Sequence, residues 1–136
     1  MVLRLKIKIC YRNKCIEEVG IANSGFSGEK PEITLPEEIA KTLFGEKFSI
    51  VFSEKILGDG SRVSLAKINE PLELYVVTED RVEGPVKVYA YMVKSSLILI
   101  NDKTLSSLRI VIIDPYYGIW CFRDEIGRRE RKGVTV

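Results

Sequence analysis

The chain contains no histidine among its 136 residues. That absence removes Ser-His-Asp and Cys-His catalysis within one chain, and any zinc site with an imidazole ligand. Cysteine is scarce as well: Cys10, Cys15 and Cys121 stand without a CxxC pair, which is a poor metal signature. Cys10 and Cys15 flank a turn and can bridge only if their geometry agrees; two buried free thiols are expected in a reducing cytoplasm. Long apolar runs are missing too. Near the C-terminus the longest is Ile110–Ile113, far below the roughly 20 residues of a membrane helix. Arg4, Lys6 and Lys8 interrupt the N-terminal apolar run, so it does not read as the h-region of a signal peptide. No membrane partner, no cofactor, no metal and a cytoplasmic location are the expectations that follow.

Charge of one sign is also lacking. Residues 1–122 carry 16 Lys/Arg and 16 Asp/Glu, and the net +2 comes from the segment after Phe122. A neutral body with a mildly basic tail does not point to nucleic acid, which usually meets a concentrated basic face. The tail 123–136 is read as a solvated terminus. With 46% apolar and 29% charged residues, the remainder has the balance of one globular domain of ordinary size.

What is present is mostly strand pattern. Leu3, Leu5, Ile7, Ile9 and Tyr11 alternate with Arg4, Lys6 and Lys8, the period of a half-buried strand. A turn at Arg12–Lys14 leads to a return strand, Cys15–Ala22. The polar, glycine-containing segment Asn23–Gly28 follows. Thr34 and Glu37 are placed to cap a helix over Pro36–Phe44, with Ile39, Ala40, Leu43 and Phe44 on its apolar face. Further strands are expected at Phe48–Ile56, Arg62–Lys67, Leu72–Val77, Val86–Met92, Arg109–Ile113 and Ile119–Phe122. Gly58-Asp59-Gly60-Ser61 is a strong turn signal between the first two of these. Ser96–Ile100 leads into a second short helix around Asp102–Leu108.

The segment Ile21-Ala22-Asn23-Ser24-Gly25-Phe26-Ser27-Gly28, followed by Leu35-Pro36-Glu37-Glu38-Ile39-Ala40, resembles the retropepsin-like aspartic protease families. Leu99-Ile100-Asn101, then Leu105, Leu108, Arg109–Ile113, Asp114 and Gly118-Ile119-Trp120, is similar to the family's second motif and C-terminal hairpin. The resemblance spans residues 1–122, a single domain, with 123–136 as a charged tail. It implies an all-β fold: a closed, mainly antiparallel acid-protease barrel with one or two short helices. It also implies a homodimer in which two triplets meet and an extended peptide binds beneath flexible hairpins. Asn23, Ser24 and Gly25 fall on the catalytic triplet, Phe26 on the lining, and Gly58, Asp59 and Gly60 on the hairpin tip. Ile119 and Trp120 fall on the expected interface sheet.

The departure is at the decisive atom: Asn23 stands where the family has its catalytic aspartate. Asn101 replaces the glycine of the second motif, a change that a positive-φ turn tolerates better than most. In the family two aspartates share a proton, one activating water and the other donating. An amide has no carboxylate to take the water's proton. Asp59, Asp102 and Asp114 fall in turns or caps, and Ser24 has no histidine to activate it. The expectation is an aspartic-endopeptidase-like protein, impaired by Asn23; the alternative is a non-catalytic peptide-binding or scaffolding homodimer. A plain Asn-Ser-Gly turn, and base stacking by Tyr116, Tyr117 and Trp120, are the lesser alternatives.

Overall fold

The alternation at the N-terminus becomes strand β1 (Arg4–Tyr11), whose Leu5, Ile7 and Ile9 are buried while Lys6 is exposed. In the computed structural model, which describes residues 3–23, 25–56 and 59–135, a two-residue turn reverses this strand at Arg12 and Asn13. Arg12 takes a φ of 55°, as the primed turns that match strand twist require. The return strand β2 (Lys14–Ala22) pairs antiparallel and sets Cys10 opposite Cys15. The two cysteines are disulfide-bonded, their Cα atoms 4.1 Å apart. This corrects the expectation of free thiols: the turn is tight enough to bring the two side chains face to face. Cys121 alone is a free, buried thiol, its pKa pushed up by burial.

The chain continues through β3 (Glu32–Pro36), α1 (Glu37–Phe44), β4 (Ile50–Ile56), β5 (Arg62–Ile68), β6 (Leu72–Val77), β7 (Val82–Val93) and β8 (Ile98–Ile100). Six strands, in the order β3-β8-β2-β1-β6-β7, close into a barrel when β7 returns to pair with β3. Pairing is mainly antiparallel; β2–β8 and β3–β7 are the parallel exceptions among the described strands. Leu5, Ile7, Ile9, Ile33, Leu74 and Ile100 are among the side chains of its continuous apolar core.

β3 is a strand that the sequence reading gave to the helix start. All five of its residues are buried, so no alternation marks it. Thr34 does not cap the helix. Its hydroxyl donates to the Leu97 carbonyl at 3.1 Å and accepts from the Leu99 N–H at 2.8 Å, tying β3 to the chain entering β8. The helix begins one residue later than expected, at Glu37, with Pro36 at its N-cap. Ala40 and Leu43 face the barrel.

β4 and β5 form a hairpin outside the closed ring. It joins the body by strand pairing at Ala66–Met92 and Lys67–Tyr91, near its base. Residues of its two strands alternate between faces. Ser53, Lys55, Val63, Leu65 and Lys67 share the inner, half-buried face, while Phe52 and Ile56 are exposed on the outer one.

After α2 (Asp102–Ser107) the C-terminal residues build a separate three-stranded sheet: β9 (Ile110–Asp114), β10 (Ile119–Phe122) and β11 (Arg131–Lys132). The tail is therefore not the solvated terminus expected from its charge. Arg131 is buried, its guanidinium held by Asp80 beyond β6 and by Glu125 of the short helical turn Arg123–Glu125. The Val134 N–H then donates to the Arg4 carbonyl at 2.8 Å. The Arg131 hydrogen bonds hold the Glu125 carboxyl down to about 2, and the Asp80 carboxyl below its ordinary range as well. Both shifts are depressions, so the anchor's contribution is complete above the ordinary carboxylate range and declines as pH falls through about 2. Arg131→Ala should speed amide exchange at Gly133 and Val134 while leaving Ile7 and Ile9 protected. Equal acceleration everywhere would show that the tail does not open as a separate unit.

Candidate functional site

The Asn23 loop is pinned from both ends. Asn23 follows the last residue of β2, and its backbone N–H donates to the Ile100 carbonyl at 3.0 Å. Its side-chain Oδ1 accepts the Gly25 N–H at 3.0 Å, and its carbonyl accepts the Phe26 N–H at 3.1 Å. The Asp102 N–H reaches back to the Phe26 carbonyl at 3.2 Å. The two segments singled out in the sequence, around Asn23 and around Asn101, thus meet through the backbone of β8 and the first residue of α2. Asn23 is half-buried and Gly25 exposed; Ser24 lies outside the described residues. An asparagine closing a turn with its own side-chain oxygen is a local arrangement this residue makes well.

Asn101 behaves differently from expectation. Its φ is −76° and its ψ 169°, extended backbone with no positive-φ requirement. The residue is held here by its side chain. Oδ1 accepts from the Thr104 N–H at 2.9 Å, the Thr104 hydroxyl at 2.6 Å and the Glu32 N–H at 3.1 Å, and Nδ2 donates to the Lys30 carbonyl at 2.9 Å. It caps α2 and braces β3 and the incoming loop in one step. Gly28 fits this crowd because it lacks a side chain. A Cβ there would lie 3.0 Å from Glu32 Oε1 and 3.5 Å from Asn101 Nδ2.

A cluster that the sequence reading missed lies beside the loop. The buried Glu32 carboxylate accepts from Lys55 Nζ at 2.8 Å, Lys67 Nζ at 3.2 Å and the Tyr91 hydroxyl at 2.8 Å. Burial alone would raise its pKa, but the hydrogen bonds from Lys55 and Tyr91, with the Lys55 charge, outweigh it and leave the carboxyl below its ordinary value. Desolvation works against the Lys55 ammonium, and Glu32 reverses that and raises it. Lys55 Nζ lies 5.1 Å from the Tyr91 ring centre and 5.9 Å from that of Phe26, and the Phe26 and Tyr91 rings meet edge-on at 6.2 Å. The inner face of the β4–β5 hairpin therefore reaches the Asn23–Gly28 loop through Lys55 and Phe26. The four contributors are far apart in sequence. The signal that could have joined them is the two-residue period of the hairpin, which puts Lys55 and Lys67 on one face.

At the hairpin's far end, Gly58 lies outside the described residues. Asp59 Oδ1 accepts the Ser61 N–H at 2.9 Å and hydroxyl at 2.6 Å, and Gly60 has a φ of 85°. The Ser61 hydrogen bonds also lower the Asp59 carboxyl. Asp114 likewise closes a turn, accepting the Tyr116 and Tyr117 N–H groups. Among the described residues no carboxylate is hydrogen-bonded to Asn23. No group of three or more potential metal ligands occurs among them either. Trp120 is buried against Phe122 within the chain's own core, which removes it as a base-stacking platform in this conformation. A cavity of about 340 Å³ lies between β1, the end of β6 and the C-terminal segment, with no residue of the Asn23 loop in its lining.

No family model matches the chain, and no curated protein matches it. The functional reading rests on the site and on the motifs that form it.

Proposed function

We propose that this protein binds extended peptide between the Asn23–Gly28 loop and the β4–β5 hairpin, on an aspartic-endopeptidase-like scaffold whose hydrolysis is impaired by Asn23. The observation that carries this reading is the placement of Asn23: its loop is fixed to β8 and α2 by backbone hydrogen bonds, and the hairpin lies alongside. An extended ligand there has a hairpin above and a rigid turn below, the arrangement that strand-like recognition uses.

One chain supplies one triplet, and Gly25 of the loop is exposed. The reading therefore includes a twofold dimer in which two Asn23 loops approach each other. Two facing amides hydrogen-bond readily, but neither takes a proton from water, so the pair binds and does not cut. Light scattering over micromolar concentrations should give the mass of two chains; a monomer throughout removes the paired site.

The decisive test presents one peptide library to the unmodified chain and to Asn23→Asp, with a transition-state inhibitor of aspartic proteases as control. Inhibitor-sensitive cleavage confined to the variant supports the reading. A folded, dimeric variant that cleaves nothing favours a pure binding module. Equal, inhibitor-insensitive cleavage by both chains puts the chemistry elsewhere.

A further inference from the structure

The Glu32 cluster carries more positive charge than its own carboxylate balances. Two ammonium groups share one carboxylate, and the Tyr91 hydroxyl takes a further share of the same acceptor. An ammonium has three N–H donors. Lys67 gives one to Glu32, and Lys55 gives one to Glu32 and lies against the Tyr91 ring. The Glu32 side chain is 4% exposed, whereas those of Lys55 and Lys67 are 25% and 19% exposed, so the surplus charge is what meets solvent. Glu54, on the hairpin's outer face, is bound by Arg62 and faces away from the cluster.

We propose that Lys55 and Lys67 form a subsite for an acidic side chain of the bound peptide, next to the Asn23 loop. The inference rests on the peptide-binding reading above and adds the class of peptide. A ligand carboxylate between the two ammonium groups completes an alternating set of charges with Glu32. The Phe26 and Tyr91 rings flank it and shield the contact from solvent. Glu32 acts as a positioning residue: it holds both lysine side chains at the hairpin's inner face and leaves their remaining donors for the ligand. A neutral side chain gives these donors weaker partners, and a lysine or arginine side chain meets like charge.

The test uses the unmodified chain and labelled peptides in matched sets, with Glu, Gln or Lys at each position in turn, read by fluorescence anisotropy. At one position Glu should bind about tenfold more tightly than Gln, with Lys weaker than either, and the ratio should shrink as salt is raised. Lys55→Gln and Lys67→Gln should each bring the Glu-to-Gln ratio toward one. Lys55→Arg should keep it well above one, which separates lost charge from lost folding. Circular dichroism confirms that each variant is folded. Equal affinity for Glu and Gln peptides at every position overturns the subsite while leaving peptide binding intact. A preference that persists in the Lys55→Gln, Lys67→Gln double variant overturns it as well. Selective binding of acidic peptides without any cleavage by Asn23→Asp supports the subsite and removes only the hydrolytic part of the functional reading. Failure to bind any peptide overturns both.

Discussion

Asn23→Asp should raise peptide hydrolysis by at least about 10²–10⁴-fold over the unmodified chain, the range that a positioned general acid–base group contributes. The substitution exchanges NH₂ for O with almost no change in shape. The Oδ1 that accepts the Gly25 N–H at 3.0 Å is retained, so the turn survives. In the proposed dimer, what changes is the proton inventory of the paired site. Two adjacent carboxylates repel when both are ionised, and they titrate as a pair with separated apparent pKa values. Activity should therefore peak in acidic to mildly acidic solution. It should fall at lower pH as the base is protonated, and at higher pH as the shared proton leaves. Adding Ser24→Ala to the variant should weaken cleavage without abolishing it, since the proposed reading gives the hydroxyl no nucleophilic part. A pH–rate profile for both variants, with folding checked in parallel, reads all of this. A flat profile would mean that the introduced carboxylate is not the group doing the chemistry.

Asn101→Ala should be the most damaging single substitution for stability near the site, at about 2–4 kcal/mol. Asn101 is fully buried and its side chain makes four hydrogen bonds, to Glu32, Thr104 and Lys30. Truncation leaves the Glu32 N–H and the Lys30 carbonyl to find new partners, and it removes the cap from α2. Urea unfolding should show a lower midpoint with an unchanged slope. Asn101→Asp keeps the acceptor and loses the donor to Lys30, and it buries a charge; it too should destabilise. A shift below about 1 kcal/mol for the alanine variant would mean that water replaces the side chain without cost.

The contrast between these two asparagines illustrates what a sequence discloses. Asn23 and the segment around Asn101 were both singled out in the sequence, and the backbone brings the two segments together, a meeting that the sequence did not disclose. The physical reason for Asn101 was not legible, because its partners Lys30 and Glu32 lie about seventy residues away in the chain. Strands with one wet face were read well: β1 and β6 fall where they were expected. β3 was not, because a strand buried on both faces carries no alternation and its Thr-Leu-Pro-Glu also fits a helix start. The charged tail misled for the opposite reason. Its arginines suggested solvent, but Asp80, forty-nine residues before Arg129 and fifty-one before Arg131, supplies the anchoring charge. The Glu32 cluster escaped because each member is unremarkable alone and the four are joined only by the fold.

The β4–β5 hairpin behaves mechanically as a lever with a short fulcrum. Its strand pairing to the body is confined to Ala66 and Lys67, while Arg62 and Ile56 lie about 13 Å further along, at the usual rise per strand residue. A swing of about 15° at the fulcrum would therefore carry Arg62 and Ile56 through about 3 Å, roughly one strand residue's rise, without breaking a barrel hydrogen bond. Lys55 sits out along that arm, so its grip on Glu32 resists the swing with far better leverage than the backbone bonds at the base.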